Sequence, residues 1–352
     1  MSTSLSGSAP RTETTTTSPA VGWWLLAVAA MVFVMVVIGA LTRLTESGLS
    51  MVSWRPVTGW LPPLSEAEWQ ATFDAYRQYP EYLKVNAGMT LHEFKEIFWL
   101  EFIHRVWGRL IGLVFFIPFL VFLVRGMVAK PLLPRLIGLL FLGGAQGFMG
   151  WYMVQSGLID RPDVSQYRLT AHLCLAFAIY LALIWTALDV LRPRAPGLGK
   201  ASRRLLLLLG LVFLTAMSGG FVAGLDAGMT YNTFPLMDGD LIPDGYLVYD
   251  PAWKSLFEDI TTVQFNHRLL ATLTGVAVIA GAVMLMRQTT DPIARRSLIF
   301  SKLLVITQYL LGIATLLSVV AISLATLHQA TALLLMTALL FSAHAINEER
   351  ES

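Results

Sequence analysis

The sequence predicts an all-α polytopic membrane protein, with eight transmembrane helices arranged as two parallel-repeat four-helix bundles. Three observations predict it. The first is composition: 55% of the 352 residues are hydrophobic and only 14% charged, with a mean hydropathy of +0.63, whereas a soluble domain carries roughly 25% charged residues. The second is a series of apolar stretches of about 20 residues, the length a helix needs to cross the hydrocarbon core of a bilayer. The third is an internal repeat that relates the two halves of the chain. A formal net charge of +2 is too small to draw nucleic acid as a partner. Cys174 is the single cysteine, so there is neither an intrachain disulfide nor a thiolate-built metal site.

The elements follow in order. Residues 1–20 are rich in Ser and Thr, contain Pro10 and Pro19, and are expected to form a disordered cytoplasmic tail. They lack the basic cluster and cleavage pattern of a secretory signal, so the first apolar run is expected to be retained. Spans are expected near 22–42, 98–124, 133–154, 168–190, 203–224, 262–286, 297–320 and 323–346, the last two separated by a weak break at Ser323. In the long first outer loop, 43–97, Ser65-x-x-Glu68 and Thr90-x-x-Glu93 are capping-box signatures. They predict a short surface helix after Ser65 and a second helix that begins near Thr90 and runs straight into the second span. The other long loop, 225–261, is rich in Gly, Pro and Asp and carries fewer helix signals. Basic residues gather in the loops of one parity: Arg125, Lys130 and Arg135; then Arg192, Arg194, Lys200, Arg203 and Arg204; then Arg287, Arg295 and Arg296. By the positive-inside rule both termini face the cytoplasm.

Gly48-Leu49-Ser50 matches Gly228-Met229-Thr230, and Gly59, Leu61 and Pro63 match Gly239, Leu241 and Pro243, all at an offset of 180. Phe102-x-His104-Arg105, Leu110 and Gly112 match Phe265-x-His267-Arg268, Leu273 and Gly275 at 163, and Gln146 and Gly150 match Gln308 and Gly312 at 162. His172 pairs with His328 once a shorter loop is allowed. Four spans per half is an even number, so the halves share an orientation, with a repeat axis along the membrane normal. The expected division is therefore a bundle over 21–195 and a second over 196–352.

His104, His172, His267 and His328 fall four to seven residues into spans two, four, six and eight, roughly 6–11 Å below the outer surface at 1.5 Å per residue. One intramembrane histidine is accounted for by a helix–helix hydrogen bond or a proton relay. Four at one depth in a duplicated frame point to cofactor ligation, while His92 and His344 have no repeat partners and stand outside this layer. Zinc or copper would need more ligands converging on one ion. A di-iron bundle would need further buried acids, where the second half has Gln264 in place of Glu101. Two histidines per four-helix unit suit the axial positions of a haem, with iron as the bound metal. Arg105, Arg109 and Arg268 are candidate partners for its propionates, with interfacial snorkelling as the alternative. The one difference between the seats is Glu101 against Gln264, one turn before the histidine. It suggests a substrate haem beside an ionisable group in one half and a redox haem in the other. Glu101 would donate or accept a proton or stabilise developing charge; a salt bridge to Arg105 is the alternative role.

These residues resemble those of the haem A synthase family of bacterial and mitochondrial oxidase assembly. The resemblance runs from Gly39-Ala40-Leu41-Thr42-Arg43-Leu44-Thr45-Glu46-Ser47-Gly48-Leu49, through Glu101-Phe102-Ile103-His104-Arg105 and Asn266-His267-Arg268, to His328-Gln329. It implies an oxidoreductase that converts the methyl group at ring carbon 8 of haem O to a formyl group through hydroxylated intermediates, giving haem A. It further implies a substrate haem between His104 and His172 with Glu101 as the essential acid, and a haem b on His267 and His328. The partners implied are haem O synthase and an electron-transfer protein, in the inner membrane of a bacterium; the oligomeric state is left open. Some bacterial members carry cysteine pairs in the outer loops. This chain has none and looks like the proteobacterial and mitochondrial-type branch, so no mechanism through loop thiols carries over. Two rivals belong to other classes. A di-haem cytochrome b would carry electrons without modifying haem, although both seats lie toward one side with no inner ligand layer. A transporter would have a central cavity and no pigment.

Overall fold

The computed structural model of the protein describes residues 17–55, 58–158, 163–193 and 197–346. Among them all regular secondary structure is helical. Helix α1 (Pro19–Leu44) is followed in the first outer loop by α2 (Glu66–Tyr76) and α3 (Pro80–Lys84), then by α4 (Leu91–Val124), α5 (Leu133–Gly157) and α6 (Gln166–Leu191). The second half holds α7 (Lys200–Gly224), the short α8 (Ser255–Glu258), α9 (Ile260–Met286), α10 (Pro292–Leu317) and α11 (Ile322–Ala345). Eight of these helices are long and apolar enough to cross a membrane, which makes this a multi-pass membrane protein.

The helix starts are written in local chemistry. Ser65 accepts from the backbone N–H of Glu68 at 3.2 Å, and the Glu68 carboxylate accepts in return from the Leu64 N–H, so the helix predicted after Ser65 forms as α2. At Thr90 both halves of the capping box are made, and α4 runs unbroken for 34 residues. At about 51 Å it outreaches a hydrocarbon core of about 30 Å, so its first turns stand clear of the bilayer. Asp259 and Asp291 cap α9 and α10 through the amides of Thr262 and Ala294.

Two expectations need adjustment, and a third lies outside the described residues. Of the tail over 1–20, residues 1–16 lie outside the described residues, and α1 already begins at Pro19 with Ser18 as its cap. The division at 195/196, like Arg194, falls outside the described residues. The break between the last two spans comes before Ser323: α10 ends at Leu317 and the chain turns through Val319 and Val320, both at positive φ. What holds this turn is side-chain capture. Asn232 donates to the Leu316 carbonyl at 2.8 Å, and Ser318 accepts from the Ala321 N–H at 3.2 Å.

In the first half α1 packs on α4 and α6, and α5 on α4 and α6; in the second α7 packs on α9 and α11, and α10 on α9 and α11. Contacts of α6 with α7 and α11, and of α1 with α11, join the halves. One of the intrahelical gaps this packing must fill is at Pro118, which has no N–H for the carbonyl four residues before it. That carbonyl, Val114, accepts instead from the Trp24 indole of α1 at 2.8 Å. The main apolar core gathers helix segments away from the histidines: Val21–Val36 in α1, Phe177–Leu188 in α6, Ala294–Val305 in α10 and Leu333–Ala345 in α11 supply much of it, joined by residues of α4, α5, α7 and α9 such as Phe115, Leu136, Leu205 and Val278. A second, aromatic core of Trp69, Phe73, Tyr76, Phe94, Phe98 and Phe102 binds α2 to the protruding end of α4, with Met51, Val52 and Tyr82 packed on it. The long first loop is thus a folded cap over the outer end of α4.

Candidate functional site

His172, His267 and His328 lie six, seven and six residues past their helix starts at Gln166, Ile260 and Ile322. His104 lies 13 residues past the start of α4 at Leu91, a helix whose first turns pack under the aromatic cap. His104 stands within electrostatic range of His172, and His267 of His328. All four rings are half-buried. Among the described residues no three His, Cys, Asp or Glu side chains converge as a small-ion site would require. The histidines come as pairs.

Each ring rests against a glycine of a neighbouring span. A Cβ placed at Gly39 would lie 3.2 Å from Cε1 of His104, and one at Gly150 3.2 Å from that of His172. At Gly219 it would be 3.1 Å from Cε1 of His267, and at Gly312 2.9 Å from that of His328. Any side chain there would press on the ring edge, so four glycines set the positions of four imidazoles. Gly150 and Gly312 belong to the repeat identified from sequence. Gly39 and Gly219 were missed, although they obey the same offset of 180. One turn before two of these glycines stand Gln146 and Gln308. The Gln146 amide donates to the His172 carbonyl at 3.1 Å, and the Gln308 amide lies 3.2 Å from His328 Nδ1.

The outer wall of each site is a loop held by the residues around the histidine. Glu101, 3% exposed, receives hydrogen bonds on one carboxylate oxygen from the Ser50 hydroxyl and the Met51 N–H, both at 2.7 Å. Its other oxygen pairs with Arg105. Arg105 also donates to the carbonyls of Ser53 at 3.0 Å and Met51 at 2.8 Å, and lies over the Trp54 ring. The second half repeats this: Arg268 donates to the carbonyls of Thr233 and Tyr231, the positions 180 residues after Ser53 and Met51. Gln264, buried like Glu101, donates to the carbonyls of Ala227 at 2.8 Å and Tyr231 at 3.2 Å. The acid meets N–H and O–H donors where the amide meets carbonyls, so each loop is tied down by complementary chemistry. The salt bridge weighed as an alternative for Glu101 is therefore present, embedded in a three-donor clamp. Arg268 keeps a buried Nε without a hydrogen-bond partner. Arg109 reaches the carbonyls of Gly59 and Arg55 at 2.7 and 2.8 Å.

In the cap, Glu81 of α3 is 5% exposed and hydrogen-bonded to Tyr76. Burial pushes its carboxyl up to about 8; the Tyr76 bond opposes this, and the negative charges of Glu101, Glu46 and Asp163 add to it. Burial likewise raises the Tyr76 phenol. His92 is exposed beside Glu96, and His344 is buried against Asp189 on the far side of the core. Both stand apart from the four-histidine layer.

The family model of the cytochrome oxidase assembly protein matches residues 22–340. A protein of Nitrosospira multiformis named "Heme A synthase" is 50% identical over 334 residues, covering 93% of each chain. Proteins of the same name from Paramagnetospirillum magneticum and Parvibaculum lavamentivorans are 51% identical over 330 residues, covering 91% of this chain and 92% of the relative, and 50% over 329, covering 92% and 94%. On that extent of match, the chain belongs to the cytochrome oxidase assembly family represented by these haem A synthases.

Proposed function

We propose that this protein is a membrane oxidoreductase that oxidises the C8 methyl group of haem O to the formyl group of haem A. The observation that carries the reading is the pair of glycine-backed histidine pairs, alike in construction, of which only one has an acid beside it. In this reading the bundle over 21–195 holds the substrate haem between His104 and His172, and the bundle over 196–352 holds haem b between His267 and His328.

The residues present fit a haem in each half. Paired imidazoles suit axial ligation, each ring is half-buried against a glycine and lies outside the main apolar core, and Nε of Arg268 is a buried polar atom with no partner within the protein. Haem b bound there supplies a one-electron relay. The rest is done by the chain. His104 and His172 hold the substrate by its iron and fix the ring plane. Arg105 and Arg268 place positive charge on the outer, propionate side while their N–H groups hold the loops. Methyl to formyl is a four-electron oxidation. With water as the oxygen source, four electrons and four protons leave; with dioxygen, electrons enter with the oxidant. With water the C–H protons must be taken up near ring carbon 8; with dioxygen protons must be delivered there, as the second oxygen atom leaves as water. Glu101, oriented by Ser50, Met51 and Arg105, is the group built to accept or return them. An electron-transfer protein completes the cycle and haem O synthase supplies the substrate. The loop charges support an inner-membrane location with both termini in the cytoplasm.

The test is a chromatogram of haems extracted from the purified protein. Haem b together with haem O, haem A or a hydroxylated intermediate is expected. Haem b alone would redirect the assignment to a di-haem electron carrier. A colourless protein after adequate haem supply would overturn both.

A further inference from the structure

The two histidine pairs differ in a second respect besides Glu101 and Gln264. His267 Nδ1 lies 2.7 Å from the Ser218 hydroxyl. That hydroxyl spends its own proton on the Thr215 carbonyl at 2.7 Å, so towards the ring its oxygen can only accept. The imidazole must then carry its proton on Nδ1 and present the bare Nε2 lone pair that a metal takes. The Thr215 backbone also lies within hydrogen-bonding reach of the His267 ring, and the Thr215 hydroxyl is itself tied to Thr274 at 2.7 Å. His328 has no such acceptor: the Gln308 amide nitrogen, a donor, lies 3.2 Å from its Nδ1 and 3.3 Å from its Nε2, as the Gln146 amide nitrogen lies 3.4 Å from Nε2 of His172.

In the N-terminal half neither histidine has such a partner: Nδ1 of His104 and of His172 are both buried and unbonded. The repeat shows why for His104. Ser218 immediately precedes Gly219, which backs His267, and Ile38 immediately precedes Gly39, which backs His104. At the same offset of 180, Thr215 becomes Met35. Helix α1 therefore offers apolar side chains where α7 offers a hydroxyl network.

We propose that Ser218 is the positioning residue that makes the C-terminal pair a resident haem site, and that Ile38 in its place leaves His104 a releasable ligand suited to a haem that must come and go. This rests on the haem assignment above. A ligand imidazole with an accepted Nδ1 proton is more basic and locked in orientation, which favours ferric iron and tight retention; without the acceptor it is a weaker, freer ligand.

The experiment uses the full-length protein in detergent, by redox titration of the b-type signal and the haem-to-protein ratio after purification. Ser218→Ala should move the midpoint potential upward and lower the haem b content, and Ser218→Thr, which restores a hydroxyl, should return both towards the parent. An unchanged potential and content in Ser218→Ala overturns the proposal, as does a shift that Thr fails to correct. Should Ser218→Ala not accumulate, Ile38→Ser decides: release of the substrate-type haem to a haem-scavenging apoglobin should slow roughly fivefold, the factor of one ordinary hydrogen bond, and an unaltered release rate counts against the idea. His267→Ala separates the two layers of argument. If it keeps the b-type spectrum, the haem assignment itself fails; if it loses the spectrum while Ser218→Ala matches the parent, only the role of Ser218 fails.

Discussion

Glu101 and Gln264 occupy the same place in two loop clamps, and a glutamine at 101, equal in shape to the acid, keeps one oxygen to accept from Ser50 and Met51 while giving up the ion pair with Arg105. Glu101→Gln should therefore leave the fold and the haem content of both halves intact. Product formation should fall by about two to four orders of magnitude, the usual contribution of a positioned acid or base. Near-parental haem A output from that variant, measured by chromatography of extracted haems, would remove Glu101 from the chemistry. The glycines behind the histidines allow a steric test. Gly312 is the tightest, with a virtual Cβ 2.9 Å from His328 Cε1, so Gly312→Ala must displace the ring. A reduced haem-to-protein ratio with an altered b-type spectrum is expected, and an unaltered spectrum would mean that the ring has room to yield. The histidines and Glu101 stood out in the sequence because polar residues in apolar runs are rare. The glycines did not stand out as ring contacts: Gly150 and Gly312 showed only as repeat matches, and among 27 glycines nothing in composition marks the four that touch a ring.

At the scale of elements, α4 carries the largest share of the architecture. Its proline leaves the Val114 carbonyl free, and the Trp24 indole meets it. Trp24→Phe keeps an aromatic ring but orphans this buried acceptor, and should lower unfolding stability by about 1–3 kcal/mol. A melting temperature equal to the parent's would show that the carbonyl finds another donor. The aromatic cap on the outer end of α4 should respond to pH through Glu81. Its carboxyl titrates at about 8 in the folded protein against an ordinary value of 4.5, so the folded state holds the proton more tightly. Stability of the cap should be greatest below the ordinary value, decline as pH rises towards 8, and level off above it. Limited proteolysis of the 58–90 segment across pH reads this directly. Glu81→Gln should flatten the profile, and a profile equally steep in that variant would place the titrating group elsewhere. The sequence announced α2 and the start of α4 through their capping boxes. It did not announce α3, five residues long, whose stability comes from burying Glu81 and Tyr82 against other elements.

At the scale of the whole molecule, the halves meet through α1, α6, α7 and α11, and an ion pair of Arg43 with Asp226 at 2.8 Å crosses between them. Arg43 has no counterpart in the second half, where the same register is Ala223, whose carbonyl accepts from Arg43. The repeat is thus broken where the halves must recognise each other. The proposed orientation, read from the loop charges, can be tested: Cys174, half-buried within α6, can be replaced to give a cysteine-free background. In that background Gln78→Cys, exposed in the cap, should react with a membrane-impermeant maleimide added to spheroplasts. Gln288→Cys, exposed between α9 and α10, should react only after lysis. The reverse pattern would invert the topology.

The sequence by itself determined the number, length and order of the spans, because each apolar run must satisfy its own backbone hydrogen bonds within the bilayer and so becomes a helix. It also determined the four histidines and the acid, because polar groups in lipid are costly enough to be conspicuous. Only the tertiary structure decided which groups touch. That Gly39 backs His104, that Ser50 and Met51 hold Glu101, and that Ser218 rather than an apolar residue stands beside His267 all depend on how helices and loops far apart in the chain come together. So does the turn at Val319 and Val320, two residues with no turn preference, set by Asn232 from 84 positions earlier in the chain than Leu316, the carbonyl it captures. A contact between distant segments leaves no local pattern of propensity or periodicity, and packing alone chooses it.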